Sequence, residues 1–289
     1  MKGWWATVAK PLHTVRRILQ LWWLHAALDL GSVTQDLKTF LTYFFSDLIT
    51  NTAAVSATLL LAERFAGIGR WTQVQIVFML GYAIIAGGML EVFFGFNVKV
   101  ISRRLGRGQL DHSLIQPQPL WVIFSTEGFN LTGLASILPG LGLLWWALAH
   151  LPVSITPGWL LLLLINVPAS ATIVLSFSFL YGSLAFWAPR AAEEVSSTAL
   201  RALDQLKSFP LDSAGAGLVG GLLTFLPAGF VGWYPCRALL GLDSRPADAF
   251  ATPAAALVFA GLATLAFRKG LRHYGRTGSQ RYLSFGHRR

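Results

Sequence analysis

Three carboxylates occupy positions where a charge is costly: Asp47, Glu91 and Glu127 each fall inside a long apolar stretch. An ionisable side chain at the centre of a membrane helix costs about 2.5–3.5 kcal/mol on insertion scales, so such groups mark substrate or ion paths unless they reach headgroup depth or are packed between helices. Asn51 follows Asp47 by one helical turn, and Asn130 follows Glu127 by three residues. As a transport path these five residues would form a polar vestibule suited to an amphiphilic cation; snorkelling and interhelical packing are the structural alternatives.

Other chemistry is sparse. No GxxxxGK[ST] loop exists to cradle phosphates, and Gly106 and Gly108 in LGRGQL make only a two-glycine turn. The six histidines are scattered, with neither HExxH nor GxSxG among them. His112 and His150 flank apolar stretches and suit an interface better than a metal. Cys236, the one cysteine, reads as a small packing residue. The chain is therefore expected to be non-catalytic and to bind no cofactor or metal itself.

The elements that must position these groups follow from composition. Of 289 residues, 54% are hydrophobic and 12% charged, with a mean hydropathy of +0.55. Soluble domains run about 45–50% apolar and about 25% charged, so a disordered chain, a disulfide scaffold and a soluble enzyme are excluded. Six stretches reach the roughly 20 residues that a helix needs to cross a bilayer: Phe40 to Ala62, Gln73 to Gly95, Leu120 to His150, Gly158 to Ala188, Ala214 to Leu240 and Phe250 to Phe267. The third and fourth are overlong and contain Pro139 and Pro168, where kinks are expected. The expected fold is all-α, a polytopic membrane protein forming a single transmembrane domain over 1–289.

Charge orients it. The formal +10 could mark nucleic acid as a partner. With the N-terminus inside, however, 19 of the Lys and Arg residues fall on the inner side and Arg64, Arg70, Arg237 and Arg245 on the outer. Cations are retained on the cytoplasmic face, which places both termini in the cytoplasm of an inner-membrane protein and removes the case for nucleic acid. On this topology the three carboxylates lie near the inner ends of their spans, which disfavours proton coupling. Val15 to Leu30 reads as an amphipathic interfacial helix within a cytoplasmic segment 1–39, with Trp22 and Trp23 at headgroup depth, rather than as a cleaved signal. Residues 268–289 form a basic, lipid-contacting tail. Small residues at Ala83, Gly87 and Gly88, and at Gly217, Gly220 and Gly221, allow close helix approach, within the chain or against another subunit.

The inner loop 96–119 carries Lys99, Arg103, Arg104 and Arg107, then Leu110, Leu114 and Ile115 at helical spacing, with Asp111 in the first turn and Pro117 and Pro119 as stops. It is a short helix with an apolar face, fit to dock on a partner or to lie on the bilayer.

Here GQLDHSLIQPQPL resembles the Gly-x-Leu-Asp-x-x-Leu-x-x-Pro block of the ABC-2 type exporter permeases, in the six-span branch encoded beside a separate ATPase and associated with export of viologen-like drugs. A second block, FP at Phe209 and Pro210 followed by LPAGFVGWYPCRALLG, resembles that branch's Pro-x-x-Phe-Val-x-x-x-Pro-x-x-x-Leu-Leu-Gly. Gln116, where a basic residue is common, and Cys236, where alanine is common, depart from the pattern. The resemblance implies that Arg103, Arg104, Gly106, Arg107, Gly108, Leu110, Asp111, Leu114 and Pro117 form the region coupled to the ATPase. It implies two ATPase subunits carrying ATP and Mg, a second permease, identical or paralogous, and surrounding lipid. It further implies that the fifth span ends near Pro227 and that Phe230 to about Leu242 re-enter from the outer side, with Phe225, Pro227, Phe230, Trp233, Tyr234 and Pro235 at an outer gate; an aromatic interfacial belt is the alternative. The expected function is export of an amphiphilic substrate driven by a partner's ATP hydrolysis, against the alternative of a secondary transporter, which would show two related halves.

Overall fold

The computed structural model describes residues 11–64, 70–99, 101–116, 120, 123–124, 130–213, 215–242 and 246–278. Helix is the only regular structure among them, in keeping with an all-α polytopic chain. Four helical segments are long and apolar enough to cross a membrane: Gln73–Gly95, Leu131–His150, Pro157–Phe186 and Ala247–Thr277. A bent pair, Gly217–Thr224 and Gly229–Leu239, makes a fifth if counted as one span.

The N-terminal helix, α1 (Pro11–Gln35), is longer than the interfacial segment expected, and only Asp36 separates it from α2 (Leu37–Arg64). Asp36 caps α2 by accepting the Thr39 N–H at 3.1 Å, and the hydrogen bonds from Thr39 hold its carboxyl below the usual carboxylate range. α2 contains the whole of the expected first span and, at 28 residues, is about 42 Å long.

The helix α3 (Gln73–Lys99) breaks at Gly95, whose φ of 51° is a left-handed value that glycine accepts without strain. There the chain leaves the span and enters α4 (Ile101–Gly106). A second left-handed glycine, Gly108 at φ 71°, turns it into α5 (Leu110–Leu114). The expected third span begins later than its apolar run: Asn130 is extended, caps a 3-10 turn over Leu131–Gly133, and α6 (Leu134–His150) follows. Leu120, Ile123 and Phe124 are instead buried beside α4 and α5. Moving them out of the span resolves its excess length.

Close packing of α3 on α6 comes from glycines on both helices. A Cβ on Gly81 would lie 2.9 Å from the Gly140 carbonyl oxygen, and one on Gly88 2.6 Å from the Ile137 side chain. α7 (Pro157–Gly182) continues as a 3-10 turn to Phe186 and packs along α11 (Ala251–Thr277). Tyr82 of α3 and Ser170 of α7 share a buried hydrogen bond of 2.9 Å. Between α7 and α11 run α8 (Pro189–Leu206), α9 (Ala216–Thr224), a π-helical turn (Gly229–Trp233) and α10 (Tyr234–Leu239). The main core joins α3, α6, α7, α8, α10 and α11; a second cluster lies around α4 and α5.

Candidate functional site

The segment α4–α5 is anchored residue by residue. Leu110 is fully buried with Ile101, Leu105, Phe124, Phe186 and Tyr274, and Leu114 packs against the same cluster. The rings of Phe124, Phe179, Phe186 and Phe267 meet in tilted and edge-on pairs with centroids 5.3–6.1 Å apart. Three polar contacts tie the segment down. The Tyr274 hydroxyl of α11 donates to Asp111. Arg104 donates to the Ser113 hydroxyl at 3.2 Å, with its guanidinium 5.0 Å over the Phe124 ring. Arg103 pairs with Glu193 of α8 at 2.8 Å. Gly106 is buried at the end of α4, whereas Arg107, Gln109, His112 and Ile115 face outward, Ile115 at 81% exposure. The apolar face expected from Leu110 and Leu114 is thus turned into the protein, and the apolar side chain left exposed on this segment is Ile115. Pro117 lies outside the described residues.

The helix α8 departs from its sequence reading. Arg190, Arg201 and Lys207 are among the 19 cations expected on the inner side, between the fourth and fifth apolar stretches. Glu193 is indeed beside α4, at the Gly95 end of α3. At the opposite end Asp212, six residues beyond α8, accepts a hydrogen bond from the indole of Trp71, which immediately precedes α3. In between, a Cβ on Gly87 would lie 3.3 Å from Lys207 Nζ, and one on Gly232 would collide with the Lys207 carbonyl. The chain from Glu193 to Asp212 therefore runs the length of the apolar part of α3, about 34 Å over 23 residues. Hydropathy misses it because one face alone is apolar: Ala192, Leu200 and Leu203 are buried, with Ser196 on the same face.

At the Trp71 end Asp212 collects three donors. Besides Trp71 it accepts the Trp233 indole N–H at 2.7 Å and lies 3.5 Å from Arg237, whose guanidinium sits 4.7 Å over the Trp233 ring. Its side chain is 21% exposed. Sequence reasoning missed both Asp212 and Trp71; Arg237 was counted only among the four outer cations.

The bent pair turns by 80° across the break from Phe225 to Ala228, next to the buried Pro227. Neither arm, at eight and eleven residues, is long enough to cross alone, in place of the continuous span that the apolar run Ala214 to Leu240 suggested. The Phe225 carbonyl accepts the Tyr181 hydroxyl at 3.3 Å, and the Leu239 carbonyl accepts the Trp159 indole at 2.8 Å, so the break and the far end of the second arm are fixed toward opposite ends of α7. Phe230 stacks on Tyr234 at 5.1 Å, and Trp233 meets Tyr234 edge-on at 4.7 Å. Trp233, Pro235 and Cys236 are buried, whereas Phe225 is 78% exposed and stands apart from the cluster.

A family model described as ABC-2 family transporter protein matches residues 48–278, most of the chain. The chain belongs to the ABC-2 transporter family. It is a multi-pass membrane protein, the permease component of an ABC transporter. No curated protein and no solved structure matches it.

In this permease two of the residues expected to line a transport path, Glu91 and Asn130, make local hydrogen bonds. Asp47 lies on the exposed face of α2, whose groove is lined by Lys38, Leu41, Thr42, Phe45, Ser46 and Ile49. Asn51 is one turn further along α2. Glu91 is half-buried where α3 meets α6 and accepts the Ser136 hydroxyl at 3.5 Å. Asn130 spends its side-chain oxygen on Thr132, at 3.1 Å to the backbone N–H and 2.9 Å to the hydroxyl, while its own N–H reaches the Val92 carbonyl. Glu127 lies outside the described residues.

Proposed function

We propose that this chain is the membrane subunit of an ATP-driven exporter, moving an amphiphilic substrate outward across the cytoplasmic membrane, with its α4 end and both termini in the cytoplasm. Two ATPase subunits bind the ATP and Mg; this chain binds neither nucleotide nor nucleic acid. A second permease, identical or paralogous, completes the path. The observation that carries the reading is the construction of α4–α5: an exposed tip at Ile115, with rigid links through Asp111 to α11 and through Arg103 to α8. A push on that tip reaches two long helices at once, and nucleotide acts by favouring one of two packings of those helices. A preference for cations requires Asp47, Glu91 and Glu127 on one cavity wall. Glu91 lies where α3 meets α6 and accepts the Ser136 hydroxyl, and the substrate proposed is amphiphilic without a fixed sign of charge.

The test is to co-express the chain with the ATPase encoded beside it and purify by a tag on the permease. Wild type is expected to retain the ATPase. Ile115→Asp should lose it while unfolding at an unchanged temperature, and Leu110→Ala should lose about 2–5 kcal/mol of stability, because it empties a closed site. A wild-type chain that brings down no ATPase would overturn the reading in favour of a secondary transporter, with Asp47, Glu91 and Glu127 the groups to titrate.

A further inference from the structure

The helix α8 carries a second face. Arg190, Glu194, Thr198, Arg201 and Gln205 recur at helical spacing and are all exposed, on the side away from Ala192, Ser196, Leu200 and Leu203. Because the chain from Glu193 to Asp212 runs between the two ends of the apolar part of α3, this stripe passes through depth occupied by lipid chains. A guanidinium and an amide at that depth do not face hydrocarbon, since each would lack the partners water gives them. They face water or another polar surface.

A second copy of the chain does not supply that surface directly. A two-fold axis along the membrane normal sets equal residues at equal depth, so stripe against stripe would bring Arg201 to Arg201 and Glu194 to Glu194. Like charges in close contact repel, and the two stripes stand apart with water between them.

The charges within the stripe are unequal in depth and in pairing. Glu194 adjoins Glu193, which holds Arg103 at the α4 end. Deeper in, Lys207 is paired with Asp204 at 3.1 Å. Arg201 lies between these levels, and among the described residues its guanidinium has the Thr198 hydroxyl at 3.5 Å and no carboxylate in ion-pair range. Guanidinium is the side chain best matched to the planar or tetrahedral oxyanions of carboxylate, phosphate and sulfate. We infer that Arg201 receives the anionic headgroup of an amphiphilic substrate in a hydrated cleft bordered by α8, the hydrocarbon part staying in the membrane. This rests on the permease reading above and names the headgroup chemistry that reading left open.

The sole native thiol, Cys236, is fully buried, so an added cysteine can be followed with little background. The probes are the anionic sulfonatoethyl and cationic trimethylammonioethyl methanethiosulfonates, applied to the full chain in lipid nanodiscs, each rate normalised to that on a small free thiol. Thr198→Cys is expected to react roughly tenfold faster than Leu257→Cys, a 77% exposed position on α11, with the anionic reagent favoured about fivefold by a local potential of order kT. Adding Arg201→Gln should abolish that preference without lowering the unfolding temperature. Dodecyl phosphate should slow the reaction, while inorganic phosphate and dodecyltrimethylammonium should not.

Reaction at the Thr198→Cys thiol no faster than at Leu257→Cys would overturn the cleft. A preference that survives Arg201→Gln, or protection by the cation or by inorganic phosphate instead of dodecyl phosphate, would overturn the anionic headgroup. None of these readings depends on an ATPase, so the permease assignment fails by loss of co-purification and this inference fails by labelling.

Discussion

The helices α7 and α8 lie side by side, joined by the turn after Phe186, and reach the same two ends of the molecule by opposite means. α7 is mostly apolar and carries no charged residue, and it is started by Thr156, whose hydroxyl accepts the Trp159 N–H at 3.2 Å. Its side chains settle into the core, and its far end closes on the aromatic cluster around Phe186. α8 has one apolar stripe and is held at its extremities by charge, through Arg103–Glu193 at one end and the Asp212 cluster beyond the other. Apolar packing is non-directional and continuous along a helix, whereas ion pairs and hydrogen bonds act at points. α7 is therefore built as a fixed wall and α8 as a rod gripped at both ends, which can be released by changing single residues.

The contrast can be attacked in order of effect. Gly232→Ala should be the most damaging, about 3 kcal/mol, because its Cβ runs into the Lys207 carbonyl, a backbone atom with nowhere to go. A drop in the unfolding temperature of the detergent-solubilised chain would record it; an unchanged temperature would mean α8 is not pressed against the π-helical turn. Asp212→Ala comes next, at about 2–3 kcal/mol, since it leaves the Trp71 and Trp233 indoles and Arg237 without their shared acceptor. Asp212→Asn retains an acceptor and should recover part of the loss, which a mere packing role for Asp212 would not predict.

Gly217→Ala reverses the sign. Nothing lies within 4 Å of the added methyl, so α9 should gain about 0.5–1 kcal/mol from helix propensity. A loss there would show a neighbour pressed against α9. Smallest is Glu193→Gln: its pair with Arg103 is partly exposed, with the two side chains 39% and 29% accessible, and its contribution should be about 0.5 kcal/mol and fade in high salt. A salt-independent loss would mean that the pair does more than hold charge.

What the sequence disclosed follows the same division. Where burial is apolar and continuous, as in Gln73 to Gly95 or Gly158 to Ala188, the span was legible almost to its ends. So was the turn at Gly108, because left-handed backbone calls for glycine, whereas the bend near Pro227 was expected from the family resemblance. The role of α8 was not legible: Arg201, Asp204 and Lys207 lower its average hydropathy below any span threshold, and only the packing of Leu200 and Leu203 shows what the other face does. Leu110 and Leu114 have the spacing of a docking face, but spacing alone does not tell an outward stripe from an inward one. Asp212 escaped notice because its three partners come from three separate elements, and no local pattern records a meeting of residues 71, 212, 233 and 237.

The pairing of Lys207 with Asp204 has an electrical side. An elementary charge carried across an energised membrane exchanges about 2.3 kcal/mol with the field for every 100 mV. A helix bearing a lone lysine halfway through would be driven by the membrane potential whenever it shifted. With the ammonium 3.1 Å from the carboxylate one turn away on the same helix, the two charges travel together and their work cancels. The far end of α8 can then change position at any membrane voltage without the field favouring either state, leaving Arg201, which has no carboxylate in ion-pair range among the described residues, as the charge whose displacement the voltage would sense.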